Sequence, residues 1–227
     1  MMNTSEFLSF VPIFSELPTD ELIKIEKIGS KKKYLKNEII LKEDEAGTAL
    51  FVIVSGKVKV ARTSADGKEV ILTILCENDF FGEMAILDGQ TRSATVIAME
   101  DTELFIIQRN DFLNLLSTHP EVSIALLQEL TKRLRAADVK IKALSLKDAE
   151  GKVATVLLQL ADDIGKIKHG QVELENLPNQ QDLANMAGTS RETISRTLHA
   201  FAKKGLIEID GSKIRIIDYE KFKELYS

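Results

Sequence analysis

Cysteine is nearly absent: Cys76 is the only one in 227 residues. That excludes an intramolecular disulfide and any Cys₄ iron–sulfur site built within the chain. The setting of Cys76, between strand-like Ile74-Leu75 and a polar turn, reads as a half-buried strand thiol. Histidine is scarce as well. His119, His169 and His199 lie far apart and show no metal-ligand spacing, so no metal or haem is expected. No stretch reaches 18 consecutive apolar residues, and the N-terminus lacks a basic region followed by a long apolar run. Neither a membrane span nor export is expected, which points to the cytoplasm. Repeats and low-complexity tracts are missing. So are a nucleophile–base pair and a nucleoside-triphosphate loop, and nothing in the sequence argues for an enzyme.

What is present fits a globular chain with a good core, at 44% hydrophobic and 29% charged residues, and the length suits one or two domains. The net charge of −5 argues weakly against nucleic acid as a partner, but charge distribution matters more than the sum. Within residues 190–204, Arg191, Arg196, Lys203 and Lys204 stand against Glu192 alone. This stretch reads as a DNA recognition helix. Ser190 suits the N-cap, and Ile194, Leu198 and Phe201 form one inward stripe at helical spacing. The opposite face carries Arg191, Glu192, Ser195, Arg196 and His199. Arginine pairs bidentately with guanine, and glutamate accepts from the cytosine amine.

The neighbouring segments complete a unit. Residues 178–186 predict a short helix capped by Asn179, with Gln180 and Gln181 in its first turn, where a DNA backbone would pass. Gly188 supplies a left-handed stop before the second helix. Beyond Gly205, residues 206–209 and 213–217 flank an Asp210-Gly211 turn and predict a β-hairpin. Helix, turn, helix and hairpin make a winged helix. A solvated amphipathic helix is the plainer alternative, but it leaves the agreement of cap, turn, second helix and wing unexplained.

Ahead of this unit the pattern differs. Pro12 and Pro18 separate short helices over residues 6–28, with a helix start at Thr19. Short β-rich segments follow at 38–41, 49–54, 57–62, 69–75, 92–98 and 103–107, which suggests a sandwich or barrel. Residues 120–147 then predict one long helix. Leu127, Leu130, Leu134, Ala137, Ile141 and Leu144 fall at alternating three- and four-residue steps, a heptad seam suited to a parallel homodimer. Core burial would produce a similar stripe over a shorter length. Asp148 to Gly151 reads as a hinge, and Lys152 to Ile164 as the next helix.

Between two of the β segments lies Phe80-Phe81-Gly82-Glu83-Met84-Ala85-Ile86-Leu87-Asp88-Gly89-Gln90-Thr91-Arg92-Ser93-Ala94-Thr95-Val96. Gly82 permits close backbone approach, and a helical turn after Glu83 aims amides at an anion. Arg92 offers a charged fork to a phosphate. The whole string resembles the phosphate-binding cassette of cyclic-nucleotide-binding domains. With the heptad helix and winged helix following in that order, residues 17–217 resemble the cyclic AMP receptor protein family (CRP/FNR type).

The resemblance implies an α+β chain: an antiparallel β-roll over 1–118, a dimerisation helix over 119–147 and a winged helix-turn-helix over 148–227. It implies a ligand-responsive transcription regulator that binds palindromic double-stranded DNA as a homodimer, with RNA polymerase as a partner. A cyclic nucleotide is the implied effector, cyclic AMP foremost. Glu83 would hold the ribose hydroxyl, and Arg92 and Ser93 the cyclic phosphate, with Gly82, Met84 and Ala85 around them. Arg191, Glu192 and Arg196 match the family's base-reading positions; Glu192, Ser195 and Arg196 match those of its oxygen-sensing branch. The family's Thr–Ser pair on the long helix, which meets the adenine across the dimer, is replaced here by Ala137 and Asp138. Asp138 can accept from an exocyclic amine or a guanine edge. The same DNA-binding role with another ligand, or none, therefore stays open. A regulatory module of an enzyme or channel is the alternative of another class, and it leaves the winged helix without a purpose.

Overall fold

The computed structural model describes residues 4–211 and 213–226, so the extreme ends of the expected first and last domains lie outside it. The chain forms two compact units, divided after Leu134.

The first unit opens with α1 (Thr4–Leu8) and α2 (Thr19–Ile28). Then come β1 (Ser30–Tyr34), β2 (Ile39–Leu41), β3 (Ala49–Ser55), β4 (Val58–Thr63), β5 (Glu69–Leu75), β6 (Phe80–Phe81), α3 (Glu83–Asp88), β7 (Thr95–Ala98) and β8 (Thr102–Gln108). Two antiparallel four-stranded sheets result, ordered β1-β8-β3-β6 and β2-β7-β4-β5. β3 explains how they share a core. Ala49, Phe51 and Ile53 alternate onto one cluster with Val58, Leu75, Val96 and Ala98 of the facing sheet. Leu50 and Val52 point the other way, into a second cluster with Phe7, Phe14, Leu22 and Phe112 from the helical segments. A strand covered on both faces reads as a continuous apolar run.

α4 (Arg109–Thr118) and α5 (Pro120–Leu146) follow. Val122, Leu126 and the half-buried Leu130 of α5 pack into the helix-side cluster of the first unit. This corrects the expected seam. Leu130 serves its own core, whereas Leu127, Leu134 and Ile141 are each more than 60% exposed, and Ile124 is 57% exposed. Leu127, Leu134 and Ile141, seven residues apart, are left to solvent where the seam was expected, and Ile124 rather than Leu130 extends that stripe. Leu144 is half-buried within the second unit.

The second unit contains α6 (Ala149–Ile164), β9 (Lys166–Lys168), β10 (Gln171–Leu174), α7 (Gln180–Ala187), α8 (Arg191–Lys203), β11 (Ile207–Asp210), β12 (Lys213–Ile216) and α9 (Tyr219–Tyr226). Its sheet runs β11-β12-β10-β9. α6 starts three residues earlier than expected because the Asp148 side chain accepts from the Gly151 amide. The presumed hinge residues Ala149 to Gly151 are thus the first helical turn. Arg92 to Ala94 lie before β7 rather than in it, since Arg92 exchanges main-chain bonds with Asp44 and Glu45. Cys76 is half-buried, as expected, but sits in the turn just after β5, where its amide donates to Asp79 Oδ2.

The Asn179 side chain accepts from the amides of Gln181 and Asp182, closing the first turn of α7. Loss of such a cap typically costs about 1 kcal/mol. Asn179→Ala should therefore speed hydrogen exchange of the α7 amides about fivefold, read by mass spectrometry or NMR. Unchanged protection there would show that the cap does not hold the helix.

Candidate functional site

The first site is built at the end of β6. Gly82 adopts the left-handed conformation, with φ of 87°, and starts α3. A Cβ here would sit 2.7 Å from Arg92 Nη1 and 3.0 Å from the Ala49 carbonyl, so only glycine fits. Arg92 is almost fully buried. Its Nη1 donates to the Gly82 carbonyl at 2.7 Å and its Nη2 to the Ala49 carbonyl at 2.9 Å. The guanidinium lies 5.7 Å from the centre of the Phe51 ring. Burial pulls Arg92 below its ordinary pKa, and the Glu83 carboxylate works against that shift.

Two of the five guanidinium N–H groups are thereby used. Nε is buried and has no partner. A buried donor left without an acceptor carries a desolvation penalty. Gly47 gives the same space from the other side: a Cβ on it would lie 2.3 Å from the Ala85 Cβ and 3.3 Å from Arg92 Cζ.

Glu83, also buried, accepts from Arg133 Nη1 at 3.0 Å. Arg133 Nη2 donates to the Phe80 carbonyl at 2.7 Å, and the guanidinium stacks 4.4 Å from the Phe80 ring centre. Asp79 lies within the field of Arg133 and Glu129; burial nonetheless pushes its carboxyl above the usual range. Ser93 is exposed, its hydroxyl 3.5 Å from the Met84 sulfur, and Met84 is itself half exposed. Gly82, Glu83, Met84, Ala85, Arg92 and Ser93 thus come together around α3. Ala137 and Asp138 are exposed on α5 and belong to the other unit.

Four contributors escaped the sequence reading: Gly47, the Ala49 carbonyl, the Phe51 ring and Arg133. Only Arg133 had a usable signal. It follows Val122, Leu126 and Leu130 at helical spacing, an arginine on the stripe that otherwise turns inward.

The second site is in the C-terminal unit. α7 ends at Gly188, left-handed with φ of 58°, and α8 opens at Ser190, whose hydroxyl accepts from the Thr193 amide. Ile194, Leu198 and Phe201 are buried as expected. Arg191, Glu192 and Arg196 are exposed on the opposite face, with Ser195 half-buried among them. The Glu192 carboxyl is held below the usual range, first by its own amide and then by the Ser190 hydroxyl, so it stays an acceptor. His199 is exposed, but its Nδ1 lies 2.7 Å from the Ser195 carbonyl and donates to it, which leaves Nε2 facing outward. Gln180 and Gln181 are exposed beside the Asn179 cap; Gln181 also donates to Asn185.

Phe201 packs edge-on against Phe222, and Tyr226 of α9 lies 5.3 Å from it, so α9 backs the recognition helix. Lys204 just beyond α8 pairs with Glu150 in the first turn of α6 at 2.6 Å. Among the described residues no group of three or more His, Cys, Asp or Glu is placed to hold a metal, and no helix is long and apolar enough to cross a membrane.

Comparison with known proteins assigns a family to each part of the chain. Residues 31–119 match the cyclic nucleotide-binding domain family, and residues 151–225 match the Crp-like helix-turn-helix domain family. The cyclic AMP receptor protein of Thermus thermophilus is 35% identical over 214 residues, covering 94% of this chain and 96% of that protein. A CRP-like cAMP-activated global transcriptional regulator of Mycobacterium tuberculosis is 31% identical, covering 95% and 96%. Among solved structures, a variant of CooA from Carboxydothermus hydrogenoformans superposes with a TM-score of 0.78 at 27% identity, over 96% of this chain and 95% of that one. These relatives and both domain families are those of regulators rather than enzymes. A cassette with an unsatisfied buried arginine and a capped, outward-facing recognition helix, joined in one chain with these relatives, place the protein in the CRP/FNR family of ligand-responsive, DNA-binding transcription regulators.

Proposed function

We propose that this regulator is controlled by cyclic AMP and binds near-palindromic operators as a homodimer in the cytoplasm, recruiting RNA polymerase. The observation that carries the ligand reading is the buried Arg92, whose guanidinium lies against the left-handed Gly82 turn at the start of α3. A cyclic phosphate is a compact anion suited to a charged fork, and Ser93 and the α3 amides complete its setting. Glu83 accepts from the ribose hydroxyl while Arg133 balances its charge. The working division is a β-roll over 1–118, the dimer helix over 119–147 and the winged helix over 148–227. Ala137 and Asp138 favour a second reading, in which another purine cyclic nucleotide is preferred. Titration of the purified protein with cyclic AMP, cyclic GMP and cyclic di-GMP, each with and without operator DNA, separates the two.

The dimer reading rests on Ile124, Leu127, Leu134 and Ile141, large apolar side chains exposed along one line of α5. The DNA reading rests on the exposed Arg191, Glu192 and Arg196, with Ser195 and His199 beside them and Asn179, Gln180, Gln181 and Ser190 toward the backbone. Two recognition helices in one dimer address half-sites about one helical turn, roughly 34 Å, apart. By family resemblance each half-site holds a TGTGA-like core or its TTGA-like relative. Ligand control requires that cyclic nucleotide bind the DNA-competent arrangement more tightly than the alternative.

Arg92→Gln keeps much of the packing but removes the charged fork, so cyclic AMP affinity should fall at least about tenfold by calorimetry. Wild-type affinity in that variant would remove Arg92 from the site. Leu134→Glu places two like charges in the dimer seam and should yield monomers in sedimentation; an intact dimer would move the interface elsewhere. Arg196→Ala should lose about 1–3 kcal/mol of discrimination at one base pair per half-site, seen as relaxed preference at one position in selection from random duplexes. An unchanged selected motif would show that Arg196 does not read bases.

A further inference from the structure

The wing sheet carries an ordered set of ion pairs. Glu208, Arg215, Glu173 and Lys166 are cross-strand partners in one row across β11, β12, β10 and β9. Arg215 donates to Glu208 at 2.8 Å and to Glu173 at 2.9 Å. Beside this row stands Glu175, in the loop between β10 and α7. One oxygen accepts from Lys166 at 2.6 Å and the other from Lys213 at 2.7 Å. The two ammonium groups draw its carboxyl down to about 2, so it stays ionised wherever the protein is folded and working.

Exposed pairs of this kind contribute little to folding stability. Their larger effect is on the field. Four residues after Glu175, Asn179 caps α7, whose exposed first turn carries Gln180 and Gln181. In helix-turn-helix docking the first helix crosses the DNA backbone while the second reads bases. Lys213 begins the second strand of the wing, and Lys166 lies in the sheet's edge strand. Both lysine side chains are about 60% exposed, whereas that of Glu175 is about 31% exposed. Two largely exposed cations thus meet at the carboxylate that opens the loop leading into α7, and that single carboxylate holds both.

We propose that Glu175 is a specificity-determining residue for DNA binding: by holding Lys166 and Lys213 it withholds two sequence-independent phosphate contacts and leaves the base-reading face of α8 to decide where the protein binds. Each lysine that neutralises a phosphate releases counterions and steepens the salt dependence of binding by nearly one unit, whatever the sequence. Glu175 cancels that contribution in the free protein. DNA must then displace it to gain the same contact.

The inference rests on the DNA-binding role and is tested with the full-length protein, loaded with cyclic AMP, on two fluorescent duplexes. One contains the symmetric operator and the other a scrambled sequence, and anisotropy is followed across a salt series. E175Q should bind the scrambled duplex about three- to tenfold more tightly near 0.1 M salt, with log K against log [salt] steeper by about one to two units per winged helix. The ratio of operator to scrambled affinity should fall accordingly. Lys213→Ala should undo much of this gain in the E175Q background and change little in the wild type, a dependence that a structural effect of E175Q would not produce. An E175Q protein with the wild-type salt slope overturns the proposal, as does a gain that survives removal of both lysines. A wild-type protein that binds neither duplex with cyclic AMP, with cyclic GMP or without ligand would instead overturn the DNA-binding role itself, and this proposal with it.

Discussion

A buried guanidinium is the constraint around which the N-terminal unit is arranged. Removing a charge from water is expensive, and it persists only where paired or well hydrogen-bonded. Arg92 obtains two main-chain carbonyls, from Gly82 and Ala49, and a nearby carboxylate in Glu83. The consequences spread outward. Gly82 must lack a side chain and take positive φ, Gly47 must leave room for Ala85 and Arg92, and β3 must present its Ala49 carbonyl to the cassette. Nε remains without a partner, a deficit of about 1–3 kcal/mol for a buried donor.

Glu83 carries that constraint to the long helix. Its carboxylate is buried, so it depends on Arg133, and Arg133 depends in turn on the Phe80 carbonyl and ring. Breaking one member of a buried pair costs more than the pair contributes, because the survivor is left charged and dry. Any ligand hydroxyl that shares Glu83 thus bears on α5 without touching it. The part of α5 within the first unit is fixed to the β-roll by this pair together with Val122, Leu126 and Leu130. Leu127 and Leu134 face away and stay free.

The recognition unit was legible in the sequence because its signals are local. A cap, a helical stripe, a left-handed glycine and a two-residue turn each act over a few positions, and Asn179, Ser190 and Gly188 do what their chemistry suggests. The cassette was legible as a string, but not its floor: Ala49 is 43 residues from Arg92, and Glu83 is 50 from Arg133. Pairings over such distances leave no periodic trace. β1 was missed for another reason. Its Ser-Lys-Lys-Lys-Tyr run shows no alternation because it is an edge strand with four exposed residues, and edge lysines discourage pairing with a further chain. The heptad was half right. Leucines at three- and four-residue steps served two faces at once, and periodicity alone could not assign Leu130 to the core and Leu134 to solvent.

Base reading asks for more than the right side chains on a helix. Bidentate contacts tolerate little displacement, so the helix presenting them must be held from behind. Here the polar face of α8 is free while its other face is fixed by Ile194, Leu198 and Phe201, and the Phe201 ring is pinned by Phe222 and Tyr226 of α9. Tyr226 also donates to Glu150, the carboxylate that receives Lys204 from the far end of the recognition helix. Glu150 lies in the first turn of α6, directly after the Asp148 cap. The C-terminal helix, the recognition helix and the start of the DNA-binding unit therefore share one carboxylate. Glu150 thus joins the first turn of α6 to both α8 and α9, so the helix that carries the exposed polar face is braced at its far end as well as along its buried side.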